Sequence, residues 1–251
     1  MHYFGALQQS NGLSAIRSLA DRRGAIIIED KIHSVFTQSQ TIGDYMVCSI
    51  RKWLPIPGGG VLHFNKNICD VGGQAKVKST DNGRSYGMVL KDIFLTTGFN
   101  RNKEYREVSA ASEARLDGQK EIYGISDFAR FIASCSSIER LKHRRKRNYD
   151  ILMNALIAEG VYPAIAIKRS DTPLVYPLRV RDRDKLRNFL LNKQVYCAIH
   201  WPFDNHKSEQ RAFAKKNADE LLSLPIDQRY DESHIQYLID TLKMLGGGLQ
   251  F

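Results

Sequence analysis

Runs and alternations of apolar residues predict four short β-strands within the first 65 residues. These are residues 2–5 (HYFG), 25–30 (AIIIED), 45–50 (YMVCSI) and 60–64 (GVLHF). Residues 10–24 (SNGLSAIRSLADRRG) lie between the first two strands, start with cap-forming residues and end at a glycine, as helices do. The chain is therefore predicted to open as strand–helix–strand, an order that favours parallel strands.

The remainder of the chain is predicted to hold helices and then a separate small α/β unit. Helical spacing runs from about Ser79 to Arg115 with a break near Gly98, and two further helices are predicted before Gly160. The last part predicts strands at 174–180 (LVYPLRV) and 195–201 (VYCAIHW), and helices at 182–193, 209–224 and 231–245. We predict an α/β chain with domains at residues 1–137 and 138–251.

The composition is that of a globular protein, with 43% hydrophobic and 25% charged residues among 251. Apolar runs are all shorter than the ~20 residues of a membrane span, and the N-terminus lacks the pattern of a signal peptide. The four cysteines, Cys48, Cys69, Cys135 and Cys197, are scattered without a CxxC pair. We therefore expect a cytoplasmic protein with reduced thiols, no metal site and no membrane partner.

The formal net charge is +10, and residues 139–150 (ERLKHRRKRNYD) carry much of the basic excess. The solvated face of a long amphipathic helix is the favoured interpretation of this segment. An anion site for a phosphorylated ligand is the second interpretation, and a nucleic-acid surface is the least favoured.

Ionisable side chains follow two of the predicted strands. Four apolar residues lead into Glu29 and Asp30, and His33 comes three residues later; Ser49 and Lys52 lie at the end of the next strand. Parallel sheets bind ligands at the carboxyl ends of their strands. We therefore expect a carboxylate, an imidazole, a hydroxyl and an amine at one edge of the sheet.

Five segments of the chain resemble, in the same order, characteristic sequence segments of the DegT/StrS family. The resemblance lies in HYFG, IIIEDKIHS, GDYMVCSIRKWLPIPGGGVL, GISDFARF with RRKRNYDIL, and YCAIHWP with LLSLPIDQRY, spread over nearly the whole chain. Members of this family are fold type I pyridoxal-phosphate enzymes, mostly aminotransferases of nucleotide-linked keto-sugars. The resemblance implies a truncated fold type I large domain with a mostly parallel sheet, followed by a small C-terminal α/β domain.

The resemblance also assigns roles to the residues at the strand ends. Lys52 matches the lysine that binds pyridoxal 5′-phosphate covalently and shuttles the substrate proton, a role that requires a neutral amine. Asp30 matches the aspartate that pairs with the pyridine nitrogen, and His33 the residue that packs against the ring or its hydroxyl. Ser49 would hydrogen-bond the cofactor phosphate. Glycines 58–60 would let the backbone approach the site.

Two further segments are weaker candidates. His200 and Trp201 could contact ligand, although packed aromatic residues in the small domain are the favoured interpretation. Residues 98–102 (GFNRN) are similar to a family segment that reaches the phosphate of the neighbouring subunit.

The resemblance implies an aminotransferase that passes an amino group, typically from glutamate, to a nucleotide-linked keto-sugar, as in polysaccharide biosynthesis. A homodimer is the family expectation. Only 29 residues precede Asp30, fewer than in the family, so the loop that binds the cofactor phosphate is expected to be missing, and residues 2–5 would be the fourth family strand. The alternative is therefore a non-catalytic or partner-dependent relative, whose N-terminal segment another chain would supply.

Overall fold

Two units make up the structure, a computed structural model that describes residues 1–8, 10–38, 41–65, 82–200 and 212–245. The first, here the sheet unit, contains Leu13–Ile32 and Thr41–Ser136. The second, here the C-terminal unit, contains Met1–Gly12, His33–Gln40 and Ser137–Phe251. The two domains that the sequence predicted, residues 1–137 and 138–251, remain a prediction.

A three-stranded sheet organises the sheet unit. Its strands are β1 (Ile28–Asp30), β2 (Tyr45–Ser49) and β3 (Gly60–Phe64), in that spatial order. β1 runs parallel to β2, with Asp30 opposite Val47, and β3 runs antiparallel to β2, with Ser49 opposite Gly60. The remaining helices of this region are α1 (Ser10–Arg23), α2 (Asn82–Thr97), α3 (Asn102–Asp117) and α4 (Asp127–Cys135).

The strand predicted at residues 2–5 is wrong. Tyr3 and Ala6 form only an isolated bridge, because Phe4 and Gly5 have positive φ angles of 58° and 102° and turn the chain sharply. Leu174 then donates a backbone hydrogen bond of 2.9 Å to the carbonyl of Phe4. A Cβ at Gly5 would lie 2.2 Å from the carbonyl oxygen of Thr172, so this close approach needs glycine. The strand observed in residues 25–30 is also shorter than predicted, because only the last three of these residues pair with β2.

Helices α2 and α3 pack closely against each other. Gly98, with a φ of 71°, ends α2 where the sequence predicted a break. A Cβ at Gly83 would lie 2.8 Å from Oγ of Ser112, and one at Gly87 would lie 3.0 Å from Oγ of Ser109. Glycine and serine at these positions therefore allow the two helices to approach.

The C-terminal unit packs helices on a two-stranded antiparallel sheet. Its elements are α5 (Ile138–Ala158), β4 (Tyr176–Arg179), α6 (Arg183–Asn192), α7 (Ala212–Glu220), β5 (Leu221–Leu224) and α8 (Glu232–Lys243). The core combines side chains from α5, both strands, α6 and α8, among them Tyr149, Leu152, Tyr176, Leu178, Leu186, Leu222, Leu224 and Ile235. This is the small α/β unit that the sequence predicted.

Two strand assignments in this unit differ from the sequence-based ones. Residues 195–200 form only a bridge between Ala198 and Ser223, and Trp201 lies outside the described residues. The predicted helix at 209–224 ends at Glu220, and the next four residues form β5. Their side chains are almost all buried, because pairing with β4 places them in the core.

The basic segment at residues 139–150 lies within α5 and is not uniformly solvated. Arg145 is 2% exposed, and Asn148 is fully buried and donates a 2.9 Å hydrogen bond to the carbonyl of Tyr230. Lys142 and Lys146 pair with Glu139 and Asp150 on the outer face. Several of these basic side chains thus form ion pairs within the helix or are buried in the core. None of the helices in the described ranges is long and apolar enough to cross a membrane.

Candidate functional site

Three of the four predicted site residues lie at one edge of the sheet unit. Asp30 is the last residue of β1, and Ser49 is the last residue of its parallel neighbour β2. A single 3₁₀ turn, Ile50–Lys52, follows Ser49 directly. Parallel strands end on the same side of a sheet. The carboxylate, the hydroxyl and the amine therefore emerge where the sequence pattern predicted.

Asp30 is held by the loop that follows its own strand. Its Oδ1 accepts a hydrogen bond of 2.9 Å from the backbone N–H of Ile32. The side chain is half-buried, and its negative charge acts on Lys52. This short-range hydrogen bond fixes the carboxylate at the strand end, where a cationic or N–H-bearing ligand could pair with it.

Lys52 has a lowered pKa although its side chain has substantial solvent contact. Partial desolvation by the surrounding protein lowers the pKa from its ordinary value, and the positive charge of Arg51 lowers it further. The charge of Asp30 opposes both effects. A lysine with a lowered pKa has a larger neutral fraction near pH 7, and the neutral amine is the form that attacks a carbonyl.

The turn that carries Lys52 is anchored on both sides. Ile50 donates to the carbonyl of Gly59 at 3.2 Å and accepts from the N–H of Trp53 at 3.0 Å. Trp53 is 1% exposed, and its indole N–H donates to the carbonyl of Ile32 at 3.1 Å. The loop after β1 and the turn after β2 are thereby connected next to Asp30 and Lys52.

A cavity of about 880 Å³ lies beside this turn within the sheet unit. Ser49, Arg51 and glycines 58–60 line one side, and residues from α2, α3 and the segment after α3 line the rest. The serine that the resemblance assigned to a phosphate therefore faces a cavity with a glycine-rich wall.

His33 belongs to the other unit. It is fully buried, and its ring centroid lies 6.0 Å from that of Phe4 and 5.0 Å from that of His200. The ring of His200 lies 5.7 Å from that of Phe4, and its Nδ1 is 2.8 Å from Oγ of Ser223. His33 thus has an aromatic environment, and His200 is a packed residue of the C-terminal unit, as favoured from the sequence.

Sequence reasoning missed the cationic residues around the cavity. Arg84 lies in the first turn of α2, whereas Arg115 and Lys120 lie near the end of α3 and just beyond it. Arg84 is far from the other two in sequence, and no motif links them. The signal available from the sequence was the glycine–serine spacing that lets α2 and α3 approach.

Metal-binding clusters, reactive cysteines and further cavities are the other kinds of candidate site to consider among the described residues. No cluster of three or more His, Cys, Asp or Glu side chains that could bind a metal occurs there. Cys48, Cys135 and Cys197 are free thiols, and Cys69 lies outside the described residues. A second cavity of about 520 Å³ borders α5 and includes Lys142, His143 and Arg169 together with acidic neighbours.

Comparison with known proteins identifies several similar structures. No family model and no curated protein matches the sequence. A DegT/DnrJ/EryC1/StrS aminotransferase from Brucella abortus is 16% identical, with a TM-score of 0.60 over 98% of this chain and 63% of that chain. NtdA from Bacillus subtilis, with bound cofactor PMP, is 14% identical, with a TM-score of 0.58 over 97% and 55%.

A third similar structure is DesI, determined in the presence of its TDP-sugar product. It is 17% identical, with a TM-score of 0.61 over 97% of this chain and 60% of that chain. This chain therefore spans less than two thirds of the length of these three proteins. The resemblance predicted from the sequence is confirmed as a likeness of fold: the chain is similar to part of the structures of DegT/StrS-type aminotransferases.

Proposed function

We propose that this protein is a pyridoxal-phosphate-dependent aminotransferase that transfers an amino group from an amino acid, typically glutamate, to a nucleotide-linked keto-sugar. The observation that carries the proposal is the placement of Asp30 and Lys52 at adjacent strand ends, with a lowered pKa at the lysine. The similar structures include a named DegT/DnrJ/EryC1/StrS aminotransferase, a protein with bound cofactor PMP and a protein determined in the presence of its TDP-sugar product. They support the same assignment.

The side chains at this edge fit the proposed cofactor chemically. An aldehyde needs a neutral amine, and Lys52 has a lowered pKa. A protonated pyridine nitrogen needs a carboxylate, and Asp30 is fixed at a strand end by the N–H of Ile32. When bound, pyridoxal phosphate supplies an electron sink for the substrate carbanion.

Each residue then has a defined task. Lys52 would hold the cofactor covalently and would move the proton at the substrate carbon. Asp30 would hold the proton on the ring nitrogen, and Ser49 would donate its hydroxyl to the phosphate. His33 would pack against the cofactor ring, as the resemblance implies. A homodimer and a cytoplasmic location remain part of the proposal.

The alternative is a non-catalytic or partner-dependent binding protein. It is favoured by one observation, that the chain spans only 55% to 63% of the length of three proteins of similar structure. Under this alternative the fold is kept, while the cofactor site needs residues from another chain.

The test is covalent labelling of the purified chain with pyridoxal phosphate and borohydride, followed by peptide mapping. We expect the label on Lys52, its loss in Lys52→Arg, and its retention in the control Lys103→Arg, an exposed lysine of α3. Label spread evenly over surface lysines would contradict the assignment. Conversion of the bound cofactor by glutamate then separates the enzyme from the binding protein, because only the aminotransferase consumes the amino donor.

A further inference from the structure

We propose that the outer edge of β3 pairs with β3 of a second copy of this chain, so that one antiparallel sheet continues across a two-fold axis. β3 is the last strand of the three-stranded sheet, and no strand of the described residues lies beyond it. The proposed function includes a homodimer without saying how the copies meet. Strand pairing requires neither cofactor nor substrate, so the pairing does not depend on that function.

Hydrogen bonds at the two ends of the ladder fix which backbone groups of β3 face β2. The N–H of Ile50 donates to the carbonyl of Gly59 at 3.2 Å, and the N–H of Asn65 donates to the carbonyl of Asp44 at 3.0 Å. Hydrogen-bonded pairs alternate with non-hydrogen-bonded pairs along an antiparallel ladder. Every second residue of this segment, counted from Gly59 to Asn65, therefore bonds β2.

The residues in between direct their N–H and carbonyl groups away from β2. These residues are Gly60, Leu62 and Phe64. Within the described ranges, no further strand pairing, bridge or loop hydrogen bond uses these groups. The outer edge of β3 is therefore a row of backbone donors and acceptors that another strand can bind.

The side chains of β3 do not protect this edge. Edge strands of soluble proteins are commonly protected from pairing by charged residues, proline or bulges. β1, at the opposite edge of the sheet, has Glu29 and Asp30 among its three residues. β3 (GVLHF) contains no Asp, Glu, Lys, Arg or Pro, and all five of its residues are exposed. Successive side chains point to opposite faces, so both faces of β3 are exposed.

A two-fold axis at Leu62 lets the edge of β3 complement itself. Antiparallel pairing about this residue places Leu62 opposite the partner's Leu62, and Gly60 opposite the partner's Phe64. Every outward N–H of one strand then faces an outward carbonyl of the other. An aromatic side chain that covers a glycine on the neighbouring strand stabilises a sheet, and the leucines form a cross-strand apolar pair.

This self-complementarity favours a second copy of the chain as the partner. No like charges meet in this register, because His63 lies opposite the partner's Val61. The ring of Phe64 already packs edge-to-face against Tyr45, with 5.5 Å between the ring centroids, and is therefore positioned before the strands meet. A pairing of five residues per copy is smaller than a standard protein interface. We therefore expect a dimer that dissociates on dilution.

The test is the oligomeric state of the whole chain, measured by analytical ultracentrifugation over a range of concentrations. We expect the wild-type chain to form a concentration-dependent dimer. Leu62→Lys places two like charges opposite each other and should weaken the dimer by about tenfold or more. Leu62→Glu should have the same effect. An equimolar mixture of the two variants should associate again, because unlike charges then face each other across the axis.

Ile16→Lys is the matched control. Ile16 lies on α1 of the same unit and is 52% exposed, against 49% for Leu62. It should leave the dissociation constant within about twofold. Melting temperatures of all variants show whether each is folded.

Three results would overturn the pairing of copies. They are a monomeric wild-type chain, equal weakening in the Ile16→Lys control, and a mixture of Leu62→Lys and Leu62→Glu that does not associate. The first result would mean that the edge takes a different strand. Labelling of Lys52 is an independent measurement, so a labelled monomer and an unlabelled dimer distinguish failure of this interface from failure of the proposed function.

Discussion

Arg145 donates a hydrogen bond of 2.7 Å from Nη1 to the backbone carbonyl of Leu174, deep in the C-terminal unit. Its Nε also donates to the side-chain oxygen of Gln228 at 2.8 Å. Burial lowers the pKa of Arg145 to about 10, and the charge of Asp227 partly compensates. A buried guanidinium thus connects α5 with the segments before β4 and after β5.

Replacing Arg145 should destabilise the protein. Arg145→Met keeps most of the side-chain length but removes the donors, leaving the carbonyl of Leu174 without this partner. We expect a loss of about 2–4 kcal/mol in the free energy of unfolding, measured by urea denaturation. The control is Arg140→Met, an exposed position of the same helix, which should change stability by no more than about 0.5 kcal/mol. Equal effects at both positions would contradict this role.

Asp231 should make stability depend on acid pH. It caps α8 by accepting from the N–H of His234 at 3.2 Å. Hydrogen bonds from Ser233 and His234 hold the pKa of this carboxyl well below its usual range. Because the folded pKa is lower than the unfolded value of about 3.9, the contribution is present above that value and is lost as pH falls toward the folded pKa.

Asp231→Asn tests this directly, because asparagine is also a cap residue but does not titrate. We expect the wild-type melting temperature to fall more steeply than that of the variant below about pH 4, and the two to differ little in slope above pH 6. Parallel curves throughout would show that the carboxyl does not carry the effect.

The close approach of α2 and α3 should be sensitive to side-chain volume. Gly87 is buried, and a Cβ there would lie 3.0 Å from Ser109. Gly87→Leu forces the helices apart, and we expect a cost of about 1–3 kcal/mol by urea denaturation. At Gly12 of α1 an added Cβ would meet nothing within 4 Å, so Gly12→Leu should be neutral or slightly stabilising. The reverse order of the two effects would contradict the packing.

Local signals explain which parts of the fold were predictable. Ser137 and Asp231 cap α5 and α8 through their side chains, and Gly160 follows α5 with a φ of 76°. These features act within a few residues, so the sequence predicted both helices. The predictions for residues 2–5 and 221–224 were wrong. The conformations of these residues depend on Thr172 and on β4, respectively, which are distant in sequence.

Local sequence signals likewise predicted only part of the candidate site. Asp30 and Ser49 end adjacent parallel strands, a relation that the apolar runs before them indicated. Arg84 and Arg115 come together only because α2 and α3 form a close pair. That relation depends on tertiary packing, and the glycine–serine spacing that permits the packing does not by itself place these two side chains together.

The charge environment of Lys52 should be visible in its reactivity. Burial and Arg51 lower the pKa of Lys52, and Asp30 raises it. The pH midpoint for reaction with an amine-specific acylating reagent should therefore lie below the ordinary lysine value of about 10.4. Arg51→Gln should raise the midpoint, because it removes a repelling positive charge. Asp30→Asn should lower it, because it removes the charge that favours the ammonium form.

Peptide-resolved mass spectrometry across a pH series measures these midpoints. Arg101→Gln is the charge control, since Arg101 pairs with Glu104 and does not contribute to the pKa of Lys52. The opposite signs of the two neighbouring variants distinguish a specific charge effect from general loosening of the turn, which would move both midpoints toward the ordinary value. Shifts of the same sign in both variants would mean that Asp30 does not act on the Lys52 amine, and the close placement of the two groups on which the cofactor proposal rests would be contradicted.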